Sequence, residues 1–176
     1  AGRRLMIGWS GCPDATAENP TVARGWQCAL TVPRELSMRD GKLCQQPAHE
    51  IERMRGDCVR TTGGETVEEP GRLFDLVVSC EGAKMVELEI RKGVFVRYAD
   101  GMLTLDMGDE GYGRDQRSIE LGELRDLRVL SDTTMVEIFA NGGEAALTSR
   151  TYSSAVPAMA LHAEGAASMD FYRLAH

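Results

Sequence analysis

Glu137 and Glu144 bracket an Asn-Gly pair in the stretch VEIFANGGEAALTSRTY, residues 136–152, and two carboxylates placed so invite a test for acid/base chemistry. A two-residue turn at Asn141-Gly142 between two extended runs would pair Phe139 with Glu144 and Glu137 with Ala146, setting both acids on one face of a hairpin. Diagonal neighbours on such a face sit about 7 to 8 Å apart, and the acid and base that cleave a glycosidic bond with inversion stand about 6.5 to 9.5 Å apart. The other face carries Val136, Ile138, Ala140, Ala145 and Leu147 and reads as the core side. Both glutamates are therefore expected to face solvent, where nothing in the segment raises the pKa of one above the other. Acid/base work needs that asymmetry. A solvated hairpin face is the better reading.

Other reactive residue types give less. The cysteines at 12, 28, 44, 58 and 80 are odd in number and form no Cys-x-x-Cys pair, so they read as reduced thiols of a cytoplasm. His49, His162 and His176 are not at ligand spacing, and no metal or cofactor is expected. No serine sits in a Gly-x-Ser-x-Gly turn. GYGRD, residues 111–115, is followed by no apolar helix and reads as a flexible loop, not a phosphate cradle. With a net charge of -7 and no basic run, the chain has no nucleic-acid surface, and no apolar stretch is long enough for a membrane helix.

The elements that must position these residues are strands. At 176 residues and 43% hydrophobic, the chain can bury one substantial core. Residues 84–91 alternate Val86, Leu88 and Ile90 with Glu87, Glu89 and Arg91, one face buried and one wet. Shorter runs at 73–79, 94–98, 102–107, 127–130, 134–140, 145–152, 159–162 and 169–174 are separated by Glu81-Gly82, Lys92-Gly93, Asp100-Gly101, Asn141-Gly142-Gly143 and Glu164-Gly165. Many short strands at this spacing predict an all-β antiparallel sandwich or barrel. QQPAHEIERMR, residues 45–55, is the exception and predicts a short helical connector. GELRDLR, residues 122–128, reads as a solvated edge strand or loop. The opening AGRRLMIGWSG begins in a strand-like run without a starting methionine, as though cut from a longer chain.

Three stretches carry a family resemblance. GRRLMIGWSG at 2–11 is the first, and GWQCALTVPRELSMRDGKLCQQPAHEIERMR at 25–55, with its Gly-Trp, Pro-Arg-Glu-Leu, Asp-Gly-x-Leu and Gln-x-Pro series, is the most specific. The hairpin at 136–152 is the third. Together they resemble the C-terminal part of glycoside hydrolase family 32, which includes invertases, sucrose-6-phosphate hydrolases, levanases and inulinases.

The resemblance implies a five-bladed propeller followed by a lectin-like, two-sheet β-sandwich. Residues 1–44 would be the last propeller strands, 45–56 the linker and 57–176 the sandwich. Residues 1–44 would pack on the sandwich or on a second copy, making a homo-oligomer, and the partner would be the catalytic propeller of the same enzyme. The family cleaves β-fructofuranosyl bonds with retention, using an Asp nucleophile, a Glu acid/base and a second Asp, in motifs W-M-N-D-P-N-G, E-C and R-D-P. None of these motifs occurs here: ENP at 18–20 lacks the Asp, Cys80-Glu81 is reversed, and Arg39-Asp40, Arg114-Asp115 and Arg125-Asp126 lack the following Pro. The resemblance thus implies no catalytic residue in this chain and a bracing module. Trp9 matches a family tryptophan near the sugar pocket, so it would be the substrate-binding residue in an intact enzyme. Trp26 and an Arg34-Glu35 pair would fix the blade to the linker. The alternative is a carbohydrate-binding module with Tyr98, Tyr112, Tyr152 and Tyr172 as its stacking platform.

Overall fold

The computed structural model describes residues 2–11, 19–111 and 113–175. The chain opens with β1 (Arg4–Met6), β2 (Trp9–Ser10), β3 (Ala29–Leu30), β4 (Arg34–Arg39) and β5 (Lys42–Pro47), which form two small antiparallel sheets, β1-β4-β5 and β2-β3. A 3₁₀ turn at His49–Met54 follows, so the helical connector expected over 45–55 forms in its second half while residues 45–47 finish β5.

Next come β6 (Arg55–Thr62), β7 (Thr66–Glu68), β8 (Phe74–Ser79), β9 (Met85–Arg91), β10 (Val94–Ala99), β11 (Met102–Asp106) and β12 (Gln116–Glu120). The remainder is β13 (Asp126–Ser131), β14 (Met135–Ala140), β15 (Ala145–Arg150), β16 (Ala158–Ala160), β17 (His162–Glu164) and β18 (Ser168–Leu174). Two antiparallel sheets, ordered β15-β14-β13-β8-β18-β6 and β12-β11-β10-β9-β17, make the sandwich, and β16 pairs with β7 beside it.

Period-two alternation explains the core. Phe74, Leu76, Val78 and Phe171 from the six-stranded sheet meet Val86, Leu88, Ile90, Leu103 and Leu105 from the five-stranded sheet, all buried in one cluster. The Phe74 and Phe171 rings lie 5.3 Å apart, tilted by 38°. Tyr98 is buried in the same cluster with its hydroxyl donating to the Gly122 carbonyl. At the β10–β11 turn Asp100 and Gly101 take φ of 51° and 76°, the double left-handed geometry that suits a two-residue hairpin. The outer face of the five-stranded sheet is half-exposed and charged, with Arg97 bonded to Glu87 at 2.7 Å and to Asp106.

Three features differ from the sequence reading. β6 is the long edge strand of the six-stranded sheet, and its exposed, charged pattern hides it from a periodicity argument. The run at 159–162 divides between β16 and β17, which lie in different sheets. The solvated edge strand or loop expected over 122–128 holds for the loop at 122–125, where Gly122, Glu123 and Arg125 are exposed, and fails from residue 126: β13 lies between β14 and β8, and Leu124 and Leu127 are fully buried. Of its charges, Arg128 is paired inside. Asp75, with no exposed surface, accepts from Arg128 Nη2 at 2.7 Å and Arg55 Nε at 2.7 Å, while Glu52 of the 3₁₀ turn takes Arg128 Nη1 at 3.2 Å. The connector is thereby tied to the outer face of the six-stranded sheet.

Candidate functional site

Strand β14 has no wet face. Val136, Ile138 and Ala140 face the sandwich core, and Met135, Glu137 and Phe139 on the other side are buried as well, with Glu137 only 1% exposed. Their cover is the chain around β3 to β5. Glu137 Oε1 accepts the Val32 amide at 2.7 Å, and Oε2 accepts Arg34 Nε at 3.2 Å and Nη2 at 2.5 Å. Arg34 also donates to Gln45 Oε1 at 2.9 Å and Thr148 Oγ1 at 2.5 Å, and its guanidinium lies 5.1 Å from the Phe139 ring centroid.

The expectation of a solvated Glu137 is therefore corrected. Burial pushes its carboxyl up, against the pull of the Val32 amide and Arg34. That shift is the asymmetry missing from the sequence argument, yet it does not make an acid catalyst. Three donors occupy the two oxygens, so the group holds strands together instead of presenting a proton to a substrate.

Glu144 has a different environment. The observed register pairs Ala140 with Ala145, Phe139 with Ala146 and Glu137 with Thr148, so the turn contains four residues and Glu144 sits within it. Its carboxylate accepts from Lys42 Nζ and lies 3.5 Å from Arg125 Nη2, and the bond from Lys42 chiefly holds it below the usual carboxylate range. Because Lys42 is largely exposed, Lys42→Ala is expected to cost less than about 1 kcal/mol in urea unfolding. A larger loss would mean that the pair is an anchor of the junction.

Between these two acids the hairpin turn is gripped from both sides. On the β5 side, the Gln45 amide donates to the Gly143 carbonyl at 2.9 Å, Gln46 Nε2 donates to the Gly142 carbonyl at 2.6 Å, and Arg39 Nη2 donates to the Asn141 carbonyl. On the sandwich side Asn141 Oδ1 accepts the Arg125 amide at 2.8 Å, and Asp126 Oδ1 accepts the Gly142 amide at 2.8 Å. The result is a polar junction between residues 31–47 and the six-stranded sheet, built around Glu137 and Arg34.

The presumed Arg34-Glu35 pair does not form. Arg34 turns inward to Glu137, and Glu35 accepts from Arg3 Nε at 3.0 Å. Arg3 also reaches Glu50 at 2.6 Å, tying β1 to the 3₁₀ turn and lowering the Glu50 carboxyl to about 2. The ordinary Glu value is 4.5, so this pair's contribution is full above pH 4.5 and disappears as pH falls through about 2. The melting-temperature difference between the native chain and Arg3→Ala is expected to shrink from pH 6 to pH 2. A constant difference over that range would remove Glu50 from the junction.

Trp9 lies on β2 opposite Leu30, and it is 59% exposed. Leu5, Ile7, Leu30, Met38 and Leu43 are exposed too, so nearly all the large exposed apolar side chains of the described residues belong to the first 54 positions. Trp26 is exposed, with the Arg150 guanidinium 5.3 Å from its ring. The described tyrosines do not share a platform. Tyr98 is in the core, Tyr172 lies against Arg55 on the outer face of β18, Tyr152 is half-buried, and Tyr112 lies outside the described residues. Cys28, Cys44, Cys58 and Cys80 are free thiols, and Cys12 and His176 lie outside the described residues. In GYGRD, Gly111 ends a 3₁₀ turn begun at Gly108.

Comparison with known proteins gives two family-model matches: Glycosyl hydrolases family 32 C terminal over residues 86–174, and Glycosyl hydrolases family 32 N-terminal domain over residues 1–47. Among curated relatives, raffinose invertase of Escherichia coli is 36% identical over 172 residues, covering 88% of this chain and 35% of the relative. Sucrose-6-phosphate hydrolase of Salmonella typhimurium is 32% identical, covering 86% of this chain and 32% of the relative. The chain thus spans about a third of the length of these relatives. Among solved structures, sucrose-6-phosphate hydrolase from Lactobacillus gasseri superposes with a TM-score of 0.84 at 22% identity, covering 98% of this chain and 39% of that one. The Bombyx mori β-fructofuranosidase gives 0.79 at 19% identity, covering 99% and 39%. At these identities the superpositions establish the fold.

Proposed function

Because this chain belongs to glycoside hydrolase family 32, we propose that it is the non-catalytic, sandwich-bearing part of a β-fructofuranosidase and that its work is to brace the catalytic propeller. Residues 1–44 are the last strands of the propeller, 45–56 the linker and 57–176 the sandwich. The observation that carries this reading is the contrast within residues 1–47. The segment is locked onto the sandwich by the Glu137–Arg34 network. It nevertheless leaves Leu5, Ile7, Trp9, Leu30, Met38 and Leu43 exposed, apolar side chains of the kind that neighbouring sheets cover. Their cover is the rest of the propeller, to which the sandwich is thereby fastened.

In the intact enzyme, Trp9 offers its indole face to the fructosyl ring. Glu137 and Glu144 belong to the junction, and the Asp, Asp and Glu of retaining hydrolysis come from the propeller. The substrate class is a β-fructofuranoside such as sucrose or its 6-phosphate, and the free thiols fit a cytoplasmic enzyme.

The test is fructose release from sucrose and from sucrose 6-phosphate. The chain alone is expected to release none, and co-expression with a family propeller lacking its last strands is expected to restore release. Turnover by the chain alone would overturn the reading, as would a stable dimer of this chain that excludes the propeller.

A further inference from the structure

Four buried polar atoms of the described residues that lack any hydrogen-bond partner belong to residues lining a single pocket. They are Arg117 Nε, Ser149 Oγ, Arg150 Nε and Arg150 Nη1. The pocket, of about 340 Å³, lies where β2 meets β12 and β15, and Trp9 and Ser10 complete one wall. Arg150 is only 2% exposed, which makes an unsatisfied guanidinium there costly.

Charge points the same way. Among the described residues four arginines line the pocket and no carboxylate does. Arg34 is neutralised by Glu137, whereas Arg114 donates only to the neutral Asn19 Oδ1 at 3.0 Å and to the Gly111 carbonyl at 3.2 Å. Arg150 donates to the Tyr152 hydroxyl at 3.1 Å, and Arg117 forms no ion pair among the described residues. Among the described residues three guanidinium groups are thus gathered without a counter-ion, in a chain whose net charge is -7. Water can satisfy the N–H groups but leaves their charge uncompensated. A phosphate supplies both: up to three acceptor oxygens and close to two negative charges, matched to the planar fork of arginine.

We propose that this pocket is an oxyanion site for a phosphate group, either free or carried on a hexose whose ring meets the Trp9 indole. The site borders the Glu137 junction, since Arg34 and Thr148 line it too, but its unpartnered groups on Arg117, Ser149 and Arg150 take no part in the bracing argument, so the two readings are tested separately.

Calorimetric titration of the 176-residue chain with inorganic phosphate, at constant ionic strength in chloride, tests this. Saturable binding near or below about 1 mM is expected, with at least about tenfold weakening in Arg117→Gln and in Arg150→Met. Arg117 is half-buried on β12, so Arg117→Gln keeps the test decisive if Arg150→Met does not fold. Titration with glucose 6-phosphate distinguishes the sources. Binding at least tenfold tighter than inorganic phosphate assigns a sugar phosphate, and equal binding assigns the free ion. Absence of saturable binding, or unchanged affinity in the folded Arg117→Gln chain, overturns the proposal.

Discussion

Glu137→Ala is expected to destabilise the chain by about 3–5 kcal/mol, the penalty for removing one partner of a buried ion pair. Arg34 is left as an uncompensated charge and the Val32 amide loses its acceptor. For a chain of this size the loss corresponds to about 6–20 °C in melting temperature. The double variant Arg34→Met with Glu137→Leu separates the causes. It removes both charges and leaves the Val32 amide orphaned, at about 1–3 kcal/mol, so it is expected to be more stable than Glu137→Ala. If the double variant is as unstable as the single, packing and not charge accounts for the loss. A Glu137→Ala chain that melts with the native one would mean that the carboxylate does not anchor the strands.

Gly143→Ala is the second large effect. Gly143 has φ of 86°, a conformation that costs an L-residue about 1–2 kcal/mol. A Cβ there would also collide with the backbone of Gln45, which cannot rotate away as a side chain can. Overpacking adds about 1–3 kcal/mol, so a total of about 2–5 kcal/mol is expected unless β5 detaches. Gly64→Ala is the control: its φ is 88° with nothing near its Cβ, so it carries the conformational cost alone. Urea unfolding of the two variants reads the difference directly. Equal losses would mean that β5 does not lie against the hairpin turn.

Much of the sandwich was legible because its strands alternate. Val86, Leu88 and Ile90 announce β9, and Asp-Gly at 100–101 announces the turn after β10. The junction was harder to see because polar groups cover its β14 face. Periodicity divides a hairpin into a core side and a wet side, and it has no sign for a face covered by Arg34, Gln45 and Thr148. The available clue was Phe139: a supposedly wet face carrying Met135, Glu137 and Phe139 is too apolar for solvent. Asn141, Gly142 and Gly143 all take positive φ, which a two-residue turn does not require, so the third residue of the Asn-Gly-Gly run signalled the longer turn and the shifted register. Strand β13 was misjudged for a related reason. Its charges suggested an edge, whereas Arg128 is spent on the buried Asp75 of the neighbouring strand. Arginines 114 and 117 are too far from 150 in sequence for their pocket to be anticipated; only the fold, which brings β12, the loop before it and the end of β15 to one pocket, gathers them.

The docking of residues 30–47 on the sandwich is measured most directly by hydrogen exchange at the Val32 and Gln45 amides, whose acceptors are Glu137 Oε1 and the Gly143 carbonyl. In the native chain both amides are expected to exchange at rates close to those of β13 and β14, and in Glu137→Ala the Val32 amide is expected to exchange far faster while the sandwich core stays protected. Exchange of both amides at free-peptide rates in the native chain would contradict the account, since residues 30–47 would then have no fixed seat on the sandwich.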